Sequence, residues 1–467
     1  PAMSVEYPQN RSRLEQIEGR QEGARYLAEE LREYADGTLR EEERQDFYLM
    51  YRAYEADPEG RDRLTAAAFR RYKESGLSRI VARALYGRQL ENSVSRLETY
   101  AACACRHFLQ YGLSLQEREE FGFEASDMGT VYHAVLENFA GKLAESNLTW
   151  WDFTENFAAK AVKESVEAYA ATYGETVLYS SARNEYAITR MSRILTRTVL
   201  TLQKHLKQGS FQPDDYELSF RFAEDLDSIH VDLSEDEKMH LQGRIDRIDV
   251  SEDAEHVYVK VIDYKSGNRK FDLAALYYGL QLQLVVYMNA AMEMESRKHP
   301  DKEIVPAALL YYHIDDPVLE TEENISESEA EHALLMALRP DGLVNADETI
   351  YRGMDADFEG KSEVIPVELK KSGEISMARS HVATTDEFAL IQRYVTAEIK
   401  RQGQQIYTGD VSVNPYQNGT ECSCNYCPYA SVCGIGGKIP GYGYRHMENL
   451  SKDDVFDHME TDLARQE

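Results

Sequence analysis

Apolar and polar positions change their period along this chain. From about Arg11 to Lys73, Leu, Ala, Glu and Arg dominate, and turn signals fall near Gly37 and at Pro58-Glu59-Gly60. That pattern predicts helices. Across Ser93–Leu113, Leu97, Tyr100, Ala101, Ala104 and Phe108 recur at helical spacing, with Ser93 or Ser95 as the cap. Ser126–Phe139 predicts a further helix, whose Asp127 suits the positive end of the helix dipole. Longer helices are predicted near Asp152–Tyr173 and Ala187–Lys207. Then the period shortens. Glu217–Phe222, Met239–Val250 and His256–Lys265 alternate or carry β-branched runs between acidic turns, as strands do. Tyr277–Met294 is helical again, Ala307–Ile314 reads as a buried strand, and Glu387–Gln404 reads as a helix. Helices, a strand cluster, a helix and a strand predict an α/β core with a mixed sheet. Asp315–Leu338 carries many Asp and Glu and no Lys or Arg, so it reads as a solvated helix face or an acidic loop. The stretch from there to about Thr385 reads as an irregular insertion.

The length of 467 residues allows about two to three domains at ~150 residues each. With 43% hydrophobic and 29% charged residues, a packed core is expected. No apolar run approaches the ~18 residues that span a bilayer, and no signal-peptide pattern opens the chain. An integral membrane protein is excluded and secretion is disfavoured, so a cytoplasmic setting is expected. Against 52 Lys and Arg stand 82 Asp and Glu, a net charge of −30. That disfavours a general nucleic-acid coat, but not an enzyme with a local basic track. The one stretch of that kind is Arg190, Arg193, Arg197 and Lys204, near one helical face with no acid between Arg190 and Lys207. It is expected to follow the backbone of single-stranded DNA.

The sharpest chemistry lies in two neighbouring strands. One carries Gly243-Arg244-Ile245-Asp246, and the next runs from Val257 to Asp263-Tyr264-Lys265. Alternate side chains of a strand share a face, so Val257, Val259 and Val261 line up with Asp263 and Lys265. Charges at the rim of an apolar face need partners. If Asp246 ends the adjacent strand, two carboxylates and an ammonium converge. Such a set suits Mg²⁺, a hard cation with oxygen ligands, and metal-assisted phosphodiester hydrolysis. An acidic-x-Lys triplet alone is weak: Asp236-Glu237-Lys238, Glu368-Leu369-Lys370 and Glu398-Ile399-Lys400 have the same form. Only Asp263–Lys265 follows a Gly-Arg-x-Asp strand. Gln283 and Tyr287, four apart on the next helix, share a face. His133 sits on a helix before the sheet.

Six cysteines form two tight groups. Cys424, Cys427 and Cys433 make C-x2-C-x5-C, and Cys103 lies far upstream. Clustering in a long chain without a signal peptide reads as metal ligation, not a disulfide framework. Four thiolates fit Zn²⁺ or an iron–sulfur cluster, and spacing does not separate the two. Cys105 and Cys422 each lie two positions from a proposed ligand.

His133, Gly243-Arg244-Ile245-Asp246, Asp263-Tyr264-Lys265 and Gln283-x-x-x-Tyr287 together resemble the RecB-type branch of the PD-(D/E)XK nucleases. The resemblance implies a restriction-endonuclease-like α/β core with extra helices. It implies Mg²⁺ on His133, Asp246, Asp263 and the carbonyl of Tyr264, with Lys265 catalytic. Further runs are similar to the nuclease region of the AddB family, from bacterial AddAB ATP-dependent helicase–nucleases. They are Ser93–Glu98, Tyr100–Cys103, His107-Phe108, Leu309–Pro317 and Asn414-Pro415-Tyr416 through Cys433. The likeness spans about Leu85 to Gly434. It implies a 4Fe–4S cluster on Cys103, Cys424, Cys427 and Cys433, stapling distant segments, which tips the choice from Zn²⁺ towards iron. Ala104-Cys105 departs from the family's usual Pro and aromatic.

What the resemblance implies is a Mg²⁺-dependent exonuclease module working on single-stranded DNA. The 5′-ended strand would be degraded in double-strand-break processing, with an AddA-type helicase–nuclease as partner. Residues 1–90 would end a preceding helicase-like domain, 91–440 would form the nuclease and 441–467 a tail. No G-x-x-x-x-G-K-[ST] loop is present, so no ATPase is expected in this fragment. Two other readings are a stand-alone Cas4-like iron–sulfur exonuclease and a non-catalytic metal-stapled scaffold that docks a helicase.

Overall fold

The computed structural model describes residues 14–73, 76–116, 125–172, 181–220, 226–318, 326–435 and 440–465, and the statements below concern these. Tyr173 and the last two residues of the expected Glu217–Phe222 strand lie outside them. The chain divides into two compact units, Pro1–Glu74 with Tyr429–Tyr444, and Ser75–Pro428 with Arg445–Glu467. Among the described residues no helix is long and apolar enough to cross a membrane.

The first unit contains α1 (Arg20–Asp36), α2 (Arg44–Ala53) and α3 (Pro58–Ala68). Both expected turn signals act as helix boundaries. Gly37 ends α1 with φ 73°, a left-handed conformation that favours glycine. Pro58 opens α3 behind Asp57, whose carboxylate accepts the Gly60 N–H at 3.2 Å. Tyr26, Leu27, Leu31, Met50 and Tyr54 form the small core.

The second unit opens with α4 (Arg79–Tyr86), β1 (Gln89–Ser93), α5 (Val94–Ala102) and α6 (Ala104–His107). Ser93 caps α5 as expected, through a hydrogen bond from the Arg96 N–H. The expected Ser93–Leu113 helix is broken at Cys103, whose backbone is extended. Three long helices follow: α7 (Ala125–Glu145), α8 (Glu155–Thr172) and α9 (Ala182–Lys207). Then come β2 (Gln212–Ser219), β3 (His230–Asp232), β4 (Lys238–Gln242), β5 (Arg244–Glu252) and β6 (His256–Lys265). Next are α10 (Leu273–Tyr277), α11 (Gln283–Lys298), β7 (Glu303–His313), α12 (Glu327–Ala337), β8 (Asp341–Asn345) and α13 (Glu348–Met354). The unit closes with β9 (Val382–Ala383), α14 (Thr385–Thr408) and α15 (Lys452–Ala464).

Six strands form a mixed sheet in the order β2-β5-β6-β7-β8-β9. β6 pairs parallel with β7 and antiparallel with β5, and β2 pairs antiparallel with β5. The alternation read along β6 sorts its side chains onto two cores. Val257, Val259 and Val261 join α11 and α14 on one face, while Ile262 and Tyr264 join α7, α8 and α9 on the other. Burial on both faces explains why the strand reads as a near-continuous apolar run.

Three expectations change. The Met239–Val250 strand is two strands, β4 in a three-stranded sheet with β1 and β3, and β5 in the main sheet. The break is Gly243, where a Cβ would lie 2.9 Å from the Phe220 ring and 3.3 Å from the Tyr287 ring. The Tyr277–Met294 helix is split at Gly279, with φ 79°. The stretch read as irregular up to Thr385 supplies β8, α13 and β9. Its four-residue run Gly342–Asn345, buried throughout, is too short to show a period.

Two buried histidines give the fold a pH dependence. His107, against Tyr86, Tyr100 and Tyr111, is pulled down to about 4 by burial and then by the charge of Arg96. His205 is pulled down to about 3 by burial and then by Lys260 and Arg247. Both are neutral in the fold, whereas in the unfolded chain they titrate near 6.5. Between those values the unfolded state binds the extra protons, so their stability contribution is complete above pH 6.5 and is lost as pH falls towards 4. Urea midpoints of wild type and His107→Phe should show a shallower acid decline in the variant; parallel declines would exclude the effect.

Candidate active site

β5 runs antiparallel to β6, so the start of one strand meets the end of the other. Asp246 was expected to end its strand and instead lies near the start of β5, where the antiparallel pairing still brings it to the end of β6 that carries Asp263 and Lys265. The Tyr264 N–H donates to Asp246 Oδ2 at 2.7 Å. Asp246 and Asp263 are 5% and 2% exposed, unusual for carboxylates at a strand end. Lys265 Nζ lies 2.5 Å from Asp263 Oδ2, donates to Gln283 Oε1 at 3.0 Å and sits over the Tyr311 ring. Helix α7 adds His133, whose Nδ1 is 3.2 Å from Asp246 Oδ1. The expected pairing across α11 is present: Gln283 Nε2 donates to the Tyr287 hydroxyl at 2.9 Å.

Sequence reasoning missed one member, Glu217. Its Oε1 lies 3.1 Å from His133 Nδ1, and its Oε2 lies 2.5 Å from Arg244 Nε without hydrogen-bond geometry. Glu217 reaches the site from β2 with φ 48°, a left-handed conformation that costs a non-glycine residue about 1–2 kcal/mol. Glu217 opened an expected strand, but alternation carries no sign of a backbone reversal that turns one side chain inward. Together His133, Glu217 and Asp246 offer three ligand atoms within 4.8 Å of one another.

The electrostatics suit a cation. Burial, then the charge of Asp246, pushes the Asp263 carboxyl up to about 7 against the opposing pull of Lys265. Burial disfavours a charged His133, but the hydrogen bonds and charges of Asp246 and Glu217 outweigh it and raise the imidazole to about 10. Asp263 Oδ2 and Glu217 Oε2 are buried oxygens whose charges are met by Lys265 and Arg244. Hard oxygens with one imidazole fit a divalent ion such as Mg²⁺.

The cysteine groups are placed as follows. Cys103, Cys424 and Cys427 belong to the second unit and Cys433 to the first. Burial pushes the Cys103 thiol up, with a smaller push in the same direction from Cys427. The chain around Cys103 is tied to the segment before the other cysteines. The Ala104 N–H donates to Asn414 Oδ1 and the Cys105 N–H to the Ser412 carbonyl, both at 2.9 Å. Cys424 and Cys427 close a turn through the Cys427 N–H and the Cys424 carbonyl. Cys422 instead donates its thiol to Asn425 Oδ1 at 3.0 Å. No disulfide joins the six.

The basic face of α9 is met by the acidic segment that follows β7. Arg193 and Arg197 pair with Asp316, the latter at 2.7 Å, and Lys204 pairs with Glu331 on α12. Arg190 is exposed. Three of the four cations expected to follow DNA therefore carry an internal counter-charge, which sequence distance had hidden.

Known proteins are similar to this chain along most of its length. It is 38% identical over 465 residues to AddB of Lachnoclostridium phytofermentans, named as the B component of an ATP-dependent helicase/deoxyribonuclease, covering 98% of this chain and 39% of that protein. It is 35% identical to the protein of the same name from Clostridium kluyveri, covering 89% and 36%, and 37% identical to that from Desulforamulus reducens, covering 87% and 35%. The chain thus spans less than two fifths of the length of these relatives. Residues 91–434, which hold His133, Glu217, Asp246, Asp263, Lys265 and all six cysteines, match the PD-(D/E)XK nuclease superfamily, and the chain belongs to that family.

Proposed function

We propose that this chain is the nuclease part of an AddB-type protein, a Mg²⁺-dependent deoxyribonuclease. It would cut single-stranded DNA delivered by an AddA-type helicase partner, with the 5′-ended strand as its substrate in double-strand-break repair and recombination. The observation that carries the reading is the contact of His133 with the buried Asp246, beside the buried Asp263 and its partner Lys265 on the paired strand.

His133, Asp246, Asp263 and the carbonyl of Tyr264 would hold the metal, with Glu217 beside them. When bound, a divalent ion supplies Lewis acidity at a phosphoryl oxygen and lowers the pKa of water. The rest falls to the chain. Lys265 Nζ, held by Asp263 and Gln283, presents a fixed positive charge where negative charge grows on the phosphoryl oxygens. Gln283 and Tyr287 hold one another and limit where Lys265 can point. Arg190, Arg193, Arg197 and Lys204 would guide the strand once the acids facing three of them are exchanged for phosphates.

Cys103, Cys424, Cys427 and Cys433 would hold a 4Fe–4S cluster as a structural staple. What supports the reading is the donor set itself, because four thiolates fit such a cluster.

The test is cleavage of single strands labelled at the 5′ or the 3′ end, with Mg²⁺ or with a chelator. Mg²⁺-dependent loss of label, releasing short products first from the 5′ end, is expected. Equal cleavage in chelator would remove the metal reading, and release from the 3′ end alone would reverse the polarity.

A further inference from the structure

Helix α11 carries Gln283 and Tyr287 yet starts without a cap of its own. Leu282, just before it, provides no side-chain hydrogen bond. The first N–H groups of a helix need acceptors. Here the acceptor comes from another helix. Glu98, on α5, takes the Leu282 N–H at 2.9 Å and the Gln283 N–H at 3.3 Å on Oε1. Its Oε2 accepts Arg269 Nη2 at 3.0 Å, and the same guanidinium nitrogen donates to the Leu280 carbonyl at 2.7 Å. One carboxylate, its side chain only 12% exposed, thus fixes the turn before α11 and its first residue. A negative group at that position also complements the helix dipole.

The held residue matters. Gln283 is the first residue of α11, and its side-chain oxygen receives Lys265 Nζ at 3.0 Å. A shift of the Gln283 backbone would therefore move the ammonium. From Glu98, in the middle of α5, the helix runs on to Ala102, and Cys103 follows it. A single helix spans the distance between a cysteine expected to bind a cluster and the acceptor that sets the active-site helix.

We propose that Glu98 is a positioning residue for phosphodiester cleavage: it caps α11 from a neighbouring helix, places Gln283 and through it Lys265, and links that placement to the helix ending at Cys103. This rests on the role given to Lys265 above. Glu98 is engaged with the Leu282 and Gln283 N–H groups and with Arg269 and lies outside the proposed ligand set, so its loss acts on turnover and leaves DNA affinity alone. Misplacement of a reacting group by an ångström costs about 100-fold in rate.

The experiment compares wild type, Glu98→Ala, Glu98→Gln and Lys265→Ala in the full 467-residue chain. Cleavage of an end-labelled oligonucleotide gives kcat and KM, and amide hydrogen exchange of the peptide holding Leu282 and Gln283 is read without turnover. Glu98→Ala is expected to lower kcat about 100-fold with KM unchanged and to speed exchange at those two amides. Glu98→Gln keeps the oxygen acceptor and should restore protection and most of the rate. Faster exchange in Glu98→Ala with wild-type kcat overturns the proposal, leaving Glu98 a helix cap only. Unchanged exchange overturns the capping itself. If Lys265→Ala cleaves like wild type, the underlying role of Lys265 fails instead. An inactive Lys265→Ala beside a fully active Glu98→Ala fails this inference alone.

Discussion

Lys265→Met should lower single-turnover cleavage about 1,000-fold while leaving divalent-metal affinity within a fewfold of wild type. The side chain stays close in length and loses its charge and its three N–H donors. Lys265 lies outside the proposed ligand set. Its ammonium is spent on Asp263 Oδ2, Gln283 Oε1 and the face of Tyr311, so three partners fix its direction. A preorganised charge of this kind acts where the transition state gains charge and contributes little to ground-state binding. Loss of a ligand has a different signature, because Asp246→Ala should lose metal and cleavage together. Calorimetric Mn²⁺ titration beside the cleavage assay separates the two. Equal loss of metal binding in Lys265→Met would assign the lysine to the integrity of the site.

Asp249→Ala should destabilise the fold by about 3–5 kcal/mol. Asp249 is fully buried on β5, the strand that carries Asp246. It accepts Arg247 Nε at 2.5 Å and Nη2 at 3.0 Å, and it lies 2.8 Å from Lys260 Nζ. Arg247 is itself buried and stacks over Trp150. Burial works against the ionised carboxylate, but the charges and hydrogen bonds of Arg247 and Lys260 outweigh it and hold Asp249 below the usual range. Removing the single anion leaves two cations in the core. The triple change Asp249→Ala, Arg247→Met, Lys260→Met should recover much of the loss, because apolar replacement of a whole buried ion group is often tolerated. Urea unfolding measures both, and a wild-type midpoint for Asp249→Ala would show that water reaches the cluster.

How much of this site could be read from the chain depends on the length scale of each signal. Asp246, Asp263 and Lys265 were legible because two-residue alternation is local and a charged end to an apolar strand stands out. Gln283 and Tyr287 were legible because a one-turn helical spacing is also local. His133 needed the family resemblance, since one histidine on a helix carries no period. Glu217 was hidden by a backbone reversal, φ 48°, that alternation does not encode. The ion pairs of Arg193, Arg197 and Lys204 were hidden because Asp316 and Glu331 lie far along the sequence. The α9 face therefore read as an uninterrupted cationic run. In the fold, the mixed sheet and its central strand were legible, while the break at Gly243 depended on Phe220 and Tyr287 packing against it.

Asp263 is proposed to belong to a metal site that cuts DNA. The most direct measurement sets wild type beside Asp263→Ala, with end-labelled single-stranded DNA, in Mg²⁺ and in EDTA. Cleavage is expected only from wild type in Mg²⁺, with the variant inactive under both conditions. Mg²⁺-dependent cleavage by Asp263→Ala at the wild-type rate would contradict it, because the chemistry would then reside outside the Asp246–Asp263–Lys265 cluster.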